Sequence, residues 1–110
     1  MDRYEEKIKI LEAIVANRFM FRDHTVRRSD QRSLSWTNVV NAAKTIIEWK
    51  WQESKQTHLF IGFLEEGQPG GFTAVIDRAE DIVWVVTVFK RRLSRREKNS
   101  LNSNNSLKDN

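Results

Sequence analysis

The sequence predicts an α+β domain in which two to three N-terminal helices precede a four-stranded, mostly antiparallel sheet. In residues 3–18 and 36–43 apolar side chains recur at helical spacing, and from residue 45 onwards they alternate with polar ones at the period of a strand. Short turns join the predicted strands, whereas a parallel connection needs a long crossover. A chain of 110 residues suffices for one such domain.

The first helix is predicted over residues 3–18. Its apolar positions, taken to face the core, recur at four-, three- and four-residue steps, and they are Tyr4, Ile8, Leu11 and Val15. Acidic residues, among them Glu5, come early in the helix, which suits the positive end of the helix dipole. We therefore expect this helix to pack on the sheet.

Two further helices are predicted before the sheet. Residues 23–31 can form a short helix with Asp23 as N-cap. Because few of these residues are apolar, we expect this helix to lie on the surface. Ser35 is a natural N-cap for a third helix that runs to Lys44. The apolar stripe of this third helix consists of Trp36, Val39, Val40 and Ala43.

Four segments have the composition and alternation of strands, namely residues 45–52, 57–64, 71–77 and 82–90. The glycine-rich stretch 65–71 predicts an open hairpin loop. The last strand is apolar on both faces, which places it inside the sheet or under the helices. Residues 1–92 are thus expected to form one domain, and residues 93–110, basic and then rich in Asn and Ser, to form a disordered tail.

Charge is unevenly distributed along the chain. Residues 33–89 sum to −3, whereas residues 22–32 carry +2 and residues 90–98 carry +5. Such local concentration favours a polyanion as partner. The chain has no Cys, which excludes disulfides and thiolate sites and agrees with a reducing compartment. With no apolar run long enough for a membrane span, we expect a cytoplasmic protein and no membrane partner.

The strongest candidate for chemistry is the series His24, Arg28 and Arg32. Steps of four residues place the three side chains along one stripe of a helix. The imidazole can move a proton near neutral pH, and the two guanidinium groups can clamp a phosphate. The alternative is an ordinary solvated helix face, in which Asp23 pairs with Arg27.

Thr87 is the second candidate, because it is the one polar residue in the otherwise apolar stretch 82–89 of the final strand. Its hydroxyl either bonds a neighbouring carbonyl or lines a catalytic groove between sheet and helices. His58, at the start of a strand, is expected to face solvent or to be hydrogen-bonded. No set of residues has metal-ligand spacing, so we expect neither a metal nor a cofactor.

The pattern H-x-x-x-R-x-x-x-R-x-L-S, followed by a helix, "IIEWKW", "LFIGF", "TAVID" and "VWVVTVFKRR", resembles a small bacterial domain family over about residues 23–91. In layout this family is similar to BrnT-like and RelE-like toxins, which share a compact α+β ribonuclease fold. Thr25 stands where the family usually has Ala. The resemblance implies a metal-independent endoribonuclease of a toxin–antitoxin system, with RNA as substrate and a cognate antitoxin as protein partner.

In that hypothesis His24 is the general acid or base, Arg28 and Arg32 clamp phosphate, and Thr87 orients substrate or water. The residues expected to attract the RNA backbone are Arg27, Lys90, Arg91, Arg92, Arg95 and Arg96. Two alternatives stay open. One is a non-catalytic nucleic-acid-binding or regulatory module that uses the same basic surfaces, and the other is an immunity or antitoxin-like interaction protein.

Overall fold

The structure, a computed structural model, describes residues 2–22 and 35–91. Within these residues it contains two helices and a five-stranded mixed sheet. The α+β class is therefore confirmed, but the expected count of four strands is wrong. The predicted helix over 23–31 and the predicted tail over 93–110 lie outside the described residues.

Helix α1 (Arg3–Val15) begins and ends on specific side-chain and backbone contacts. The carboxylate of Asp2 caps its start by accepting a hydrogen bond from the backbone N–H of Glu5 at 2.8 Å. At its end Asn17 adopts the left-handed conformation, with φ of 62°. The Arg18 N–H then returns to the carbonyl of Ala13 at 2.7 Å, the pattern of a Schellman motif. The helix therefore ends three residues before the predicted position 18, because Asn17 turns the chain.

The buried face of α1 is not the predicted one. The residues that α1 buries are Glu6, Ile10, Ala13 and Ile14. Of the stripe that we expected in the core, Tyr4 is 59% exposed, Ile8 38% and Val15 42%. The helix thus carries two apolar stripes, and the one that contains a carboxylate faces the sheet.

Strand β1 (Met20–Phe21) accounts for the fifth strand. It runs parallel to β5 (Ile82–Lys90), with Met20 opposite Trp84 and Phe21 opposite Val85. The strand has only two residues and pairs with a strand that is distant in sequence, so no local alternation of apolar and polar residues predicts it.

Helix α2 (Trp36–Lys44) has Ser35 as its N-cap, as predicted. Ser35 and Asn38 form a reciprocal capping box, in which the Ser35 backbone N–H donates to Asn38 Oδ1 at 2.8 Å. The indole N–H of Trp36 also donates to Asn17 Oδ1 at 2.8 Å. The start of α2 is therefore bonded to the turn that ends α1.

The remaining strands are β2 (Glu48–Gln52), β3 (Thr57–Glu65) and β4 (Gln68–Asp77), which together with β5 form the predicted antiparallel meander. The order across the sheet is β1-β5-β4-β3-β2, so β5 is an interior strand as its two-sided apolar sequence predicts. The expected open loop over 65–71 is shorter than predicted. Gln68 already pairs with Glu65 across a two-residue turn, Glu66–Gly67.

The core lies between the two helices and one face of the sheet. Its largest buried members on the strands include Phe60, Phe72 and Val85, which pack with the buried residues of both helices. Helix α2 approaches β3 closely, since a Cβ atom placed on Gly62 would lie 2.5 Å from the carbonyl oxygen of Ala42. Gly62 thus permits backbone-to-backbone packing of α2 on the sheet.

We expect Gly62→Ala to lower the free energy of unfolding by about 1–3 kcal/mol, the usual cost of forcing an extra methyl group into a packed core. Urea denaturation followed by tryptophan fluorescence measures this change. Gly67→Asn is the control, because nothing lies within 4 Å of Gly67 and Asn tolerates its positive φ of 77°. A Gly62→Ala variant as stable as the parent would show that α2 does not lie this close to β3.

Candidate nucleic-acid interface

The two described helices cover one face of the sheet, and neither of them covers the other face. Successive strand residues point to opposite sides, so neighbours of core residues face away from the helices. Ile61, for example, follows Phe60 in β3 and is buried, yet it does not belong to the core cluster beneath the helices. We define the open face as the side that neither described helix covers; its main residues are Leu59, Ile61, Thr73, Val75, Trp84, Thr87 and Phe89.

Two aromatic side chains on β5, Trp84 and Phe89, are half-buried on this open face. Trp84 stands opposite Val75, and Phe89 stands opposite Gly71. Gly71 has no side chain there, and a Cβ atom on it would meet Phe89 Cζ and Ile61 Cδ1, each at 3.0 Å. The phenyl ring of Phe89 therefore covers the glycine and is held in place beside it.

Two cationic side chains lie at opposite edges of the open face, and one of them, Arg22, borders an aromatic ring. Arg22 follows β1, and its guanidinium carbon lies 5.1 Å from the centre of the Trp84 ring. The Arg22 backbone N–H donates to the carbonyl of Val85 at 3.1 Å, which fixes the residue beside β5. Lys50 is exposed on the edge strand β2, opposite Leu59, and so lies at the far edge of the same open face. Alternation also places the carboxylates of Glu48 and Asp77 on this side, so its charge is mixed rather than purely basic.

Thr87 lies near the middle of the open face. Its hydroxyl and that of Thr73 are 2.6 Å apart and share a hydrogen bond across the strands. A β-bulge follows this pair, because Ala74 is opposite Val85 rather than Val86. Thr87 therefore does not line a groove between the sheet and α1 or α2, while the predicted helix over 23–31 lies outside the described residues. Thr87 lies on the opposite side of the sheet, where it faces away from the core.

The other predicted site residues divide into two groups. Lys90 is exposed near the end of β5, on the opposite side of the strand from Phe89, and the Arg91 backbone N–H donates to the Pro69 carbonyl at 2.9 Å. Seven predicted residues fall outside the described part of the chain, and they are His24, Arg27, Arg28, Arg32, Arg92, Arg95 and Arg96. Their proposed roles stay predictions.

A buried acid–base pair that sequence patterns did not predict lies on the helix side of the sheet. The carboxylate of Glu6 on α1 and the ring of His58 on β3 are both buried, with Nε2 of His58 3.0 Å from Oε1 of Glu6. The indole N–H of Trp49 donates to Nδ1 of His58 at 3.1 Å. An indole can only donate, so the single proton of the neutral ring lies on Nε2 and is donated to Glu6. Both ring nitrogens are therefore engaged.

Two arginines complete this cluster. Arg3 donates to Oε1 of Glu6 at 2.9 Å, and Arg78, from the turn between β4 and β5, bonds to Oε2. Burial by itself raises the pKa of Glu6, but the hydrogen bonds from Arg78, Arg3 and His58 outweigh it and lower the pKa to about 2. Burial lowers the pKa of His58, and the contact with Glu6 only partly opposes this. At neutral pH the pair is thus a carboxylate and a neutral imidazole.

A pocket of about 380 Å³ adjoins the cluster, and Trp51 and Gln56 line it together with Arg3 and Arg78. The guanidinium of Arg3 stacks on the Trp51 ring at 3.7 Å. Every polar atom of the Glu6–His58 pair already has a partner within the protein. We therefore interpret the pair as an anchor for α1 and not as a proton-transfer site.

The sequence contains one signal that could have found this cluster. Glu6 stands at the same helical spacing as Ile10, Ala13 and Ile14, and a charged residue in register with an apolar stripe indicates a buried, paired group. The parallel apolar stripe through Tyr4 and Ile8 masked that signal.

No protein-family model, curated protein or solved structure matches this chain. In the ranges that the structure describes, no group of three or more His, Cys, Asp or Glu side chains could hold a metal ion. Neither described helix is long and apolar enough to cross a membrane.

The Glu6 cluster generates a prediction for stability against pH. The folded-state pKa of His58 lies below its ordinary value of 6.5, and that of Glu6 lies near 2 against an ordinary 4.5. The unfolded chain therefore binds more protons than the folded chain in acid, so stability falls as pH falls below 6.5 and again below 4.5.

We expect Glu6→Gln to lower the free energy of unfolding at neutral pH by about 1–3 kcal/mol, because the buried His58 and the two arginines lose a charged acceptor. The urea midpoint of this variant should also decrease less between neutral and acid pH than that of the parent. Glu5→Gln, at the exposed neighbouring position, is the control and should retain the parent's pH dependence. Equal stability and equal pH dependence in Glu6→Gln and the parent would contradict the anchoring role.

Proposed function

We propose that this protein binds single-stranded RNA on the open face of its sheet. The observation that carries the proposal is the placement of Trp84 and Phe89 on a sheet face that neither described helix covers, with Arg22 and Lys50 beside it. Aromatic rings on such a surface stack with unpaired bases, and nearby cations bind the backbone phosphates. This is the nucleic-acid-binding module that the sequence left open as an alternative.

The contacts of Arg22 suit this role. A guanidinium that stacks on an indole ring keeps its N–H edge free of the ring, and that edge can donate two parallel hydrogen bonds to a phosphate. Arg22 is exposed, so a phosphate can reach it without displacement of the core. A base stacked at Trp84 would therefore have a cation within reach of its own backbone.

The basic run follows the last strand of the open face in sequence. Strand β5 carries Trp84 and Phe89 and leads directly into Arg91 and the run up to Lys98. An RNA chain that crosses β5 would thus meet cations both at Arg22 and at the C-terminal end of β5. The hydroxyl pair of Thr73 and Thr87 offers polar contacts between these two points.

We expect Trp84→Leu and Phe89→Leu each to weaken binding of a short labelled oligouridine by about 5- to 150-fold, since stacking of one base is worth ~1–3 kcal/mol. Lys50→Gln should reduce the magnitude of the log–log salt slope by about 0.7, whereas Lys44→Gln, at the end of α2, should leave it unchanged. Fluorescence anisotropy measures both quantities, and duplex RNA is the comparison ligand. If deletion of residues 92–110 removes all binding while Trp84→Leu and Phe89→Leu bind like the parent, the open face is not the binding surface.

A second candidate function is the metal-independent endoribonuclease of a toxin–antitoxin system, with an antitoxin as protein partner. One observation favours it. Arg22, two residues before His24, is bonded to β5, the strand that also carries Thr87. Arg22 thus lies beside the strand that presents the Thr87 hydroxyl, and His24 follows it by two residues in sequence.

In this second candidate, His24→Ala should reduce cleavage of single-stranded RNA by about 10²–10⁴-fold, the usual contribution of a positioned acid or base. Affinity should change by less than about tenfold, because a neutral imidazole adds little Coulomb attraction. Gel-based cleavage assays with and without EDTA, together with anisotropy on the same RNA, separate the two effects. Binding with no cleavage by the parent protein would leave the binding module as the function and exclude the nuclease.

A further inference from the structure

Helix α1 presents a second apolar stripe to solvent. This stripe consists of Tyr4, Ile8, Leu11 and Val15, and we call it the α1 seam. Three of its members are large and exposed, while Leu11 is half-buried and touches the core. The other large exposed hydrophobic side chains in the described residues, Met20 and Ile47, lie on different elements. The seam is therefore the one continuous apolar stripe that the helix layer exposes there.

The spacing of the seam is that of a coiled coil. Its members follow one another at steps of four, three and four residues, which are the d, a, d and a positions of consecutive heptads. In each helix of such a pair, the position directly before a and the position directly after d flank the apolar contact and carry the charged residues. In α1 Lys7 stands before Ile8, and Glu5 and Glu12 stand after Tyr4 and Leu11.

These charges are complementary to a second copy of the same helix. In a parallel pair the residue before a lies beside the residue five positions later in the other helix, so Lys7 of each copy meets Glu12 of the other. In an antiparallel pair like positions meet, which brings lysine near lysine and glutamate near glutamate. The parallel arrangement therefore gains two ion pairs that the antiparallel arrangement lacks.

We propose that the chain forms a parallel homodimer through the α1 seam. A two-fold axis alongside the helices places Ile8 against Ile8 and Val15 against Val15. The contacts of Lys7 within one copy permit this arrangement. Its ammonium lies 5.1 Å from the Tyr4 ring and 5.0 Å from the Trp49 ring, at the border of the seam. The dimer leaves the open face of each sheet free, because the seam lies on the helix side.

Sedimentation velocity over a concentration series tests the association. The parent chain should pass from monomer to dimer as its concentration rises, and Ile8→Glu should weaken association by at least about tenfold, because it puts two carboxylates into an apolar seam. Ile47→Glu is the matched control, since Ile47 is 60% exposed but lies in the chain segment before β2. A parent chain that is monomeric throughout, or a dimer that Ile8→Glu leaves intact, would overturn the proposal.

Cysteine cross-linking tests whether the two helices are parallel. Because the chain has no Cys, no native thiol can form a competing disulfide. Val15→Cys should form a disulfide-linked dimer on mild oxidation, since the two thiols meet in the parallel pair. In an antiparallel pair, Val15 would face Tyr4 of the other copy, so the two Val15 positions would lie roughly 17 Å apart along the helix axis, at 1.5 Å per residue. Ile47→Cys should stay monomeric under the same oxidation. A mixture of the Val15→Cys and Tyr4→Cys variants gives the opposite outcome for an antiparallel pair. If disulfides then form only between one chain of each variant, the helices are antiparallel and the parallel assignment is overturned.

Charge reversal tests the contact between Lys7 and Glu12. Lys7→Glu alone and Glu12→Lys alone should each dimerise more weakly, by about fivefold or more, because each replaces two attractive pairs by two repulsive ones. An equal mixture of the two variants should regain dimer as a heterodimer, in which opposite charges again face each other. Loss of dimer in the mixture, with each variant folded by circular dichroism, would show that these charges do not meet.

Discussion

The carboxylate of Glu6 fixes the position and the rotation of α1 on the sheet. It accepts hydrogen bonds from His58 on β3 and from Arg78 beyond β4, so one buried side chain joins the first helix to two separate parts of the sheet. A buried carboxylate without such donors would cost several kcal/mol, so the helix has to hold Glu6 over these partners. With Glu6 turned inward, the helical period also turns Ile10 and Ile14 inward, and it turns Tyr4, Ile8 and Val15 to solvent.

The two described helices lie on the same face of the sheet and leave its other face without a described helix. A helix with its side chains is about 10 Å wide and strands lie about 4.8 Å apart, so each helix covers about two strands. Two described helices therefore cover one face of a five-stranded sheet and leave none for the other. The open face still carries Trp84 and Phe89, which a purely solvated face would not need. Aromatic side chains on a partly cationic face that neither described helix covers are the basis of the proposed RNA-binding surface.

The sequence predicted those parts of the fold that depend on neighbours in the chain. Ser35 and the residues that follow it contain the whole signal of an N-cap, and the meander follows from alternation and short turns. The parallel strand β1 could not be predicted, because its two residues pair with a strand more than 60 positions away. The buried face of α1 could not be chosen either. Both of its stripes are apolar at helical spacing, and the choice depends on His58 and Arg78, which reach Glu6 only after the sheet has formed.

The same contrast applies to the candidate site. Local pattern identified Thr87 as an unusual polar residue and β5 as an interior strand, but it could not decide which face the hydroxyl occupies. The face follows from the bulge after Thr73, which shifts the alternation of β5 by one residue so that Val85 and Val88 both reach the core. Without that extra residue, Val85, Thr87 and Phe89 would share one face. Phe89 would then point towards the core and could not cover Gly71 on the open side. The bulge therefore allows one strand to fill the core and to present Trp84, Thr87 and Phe89 together on the outside.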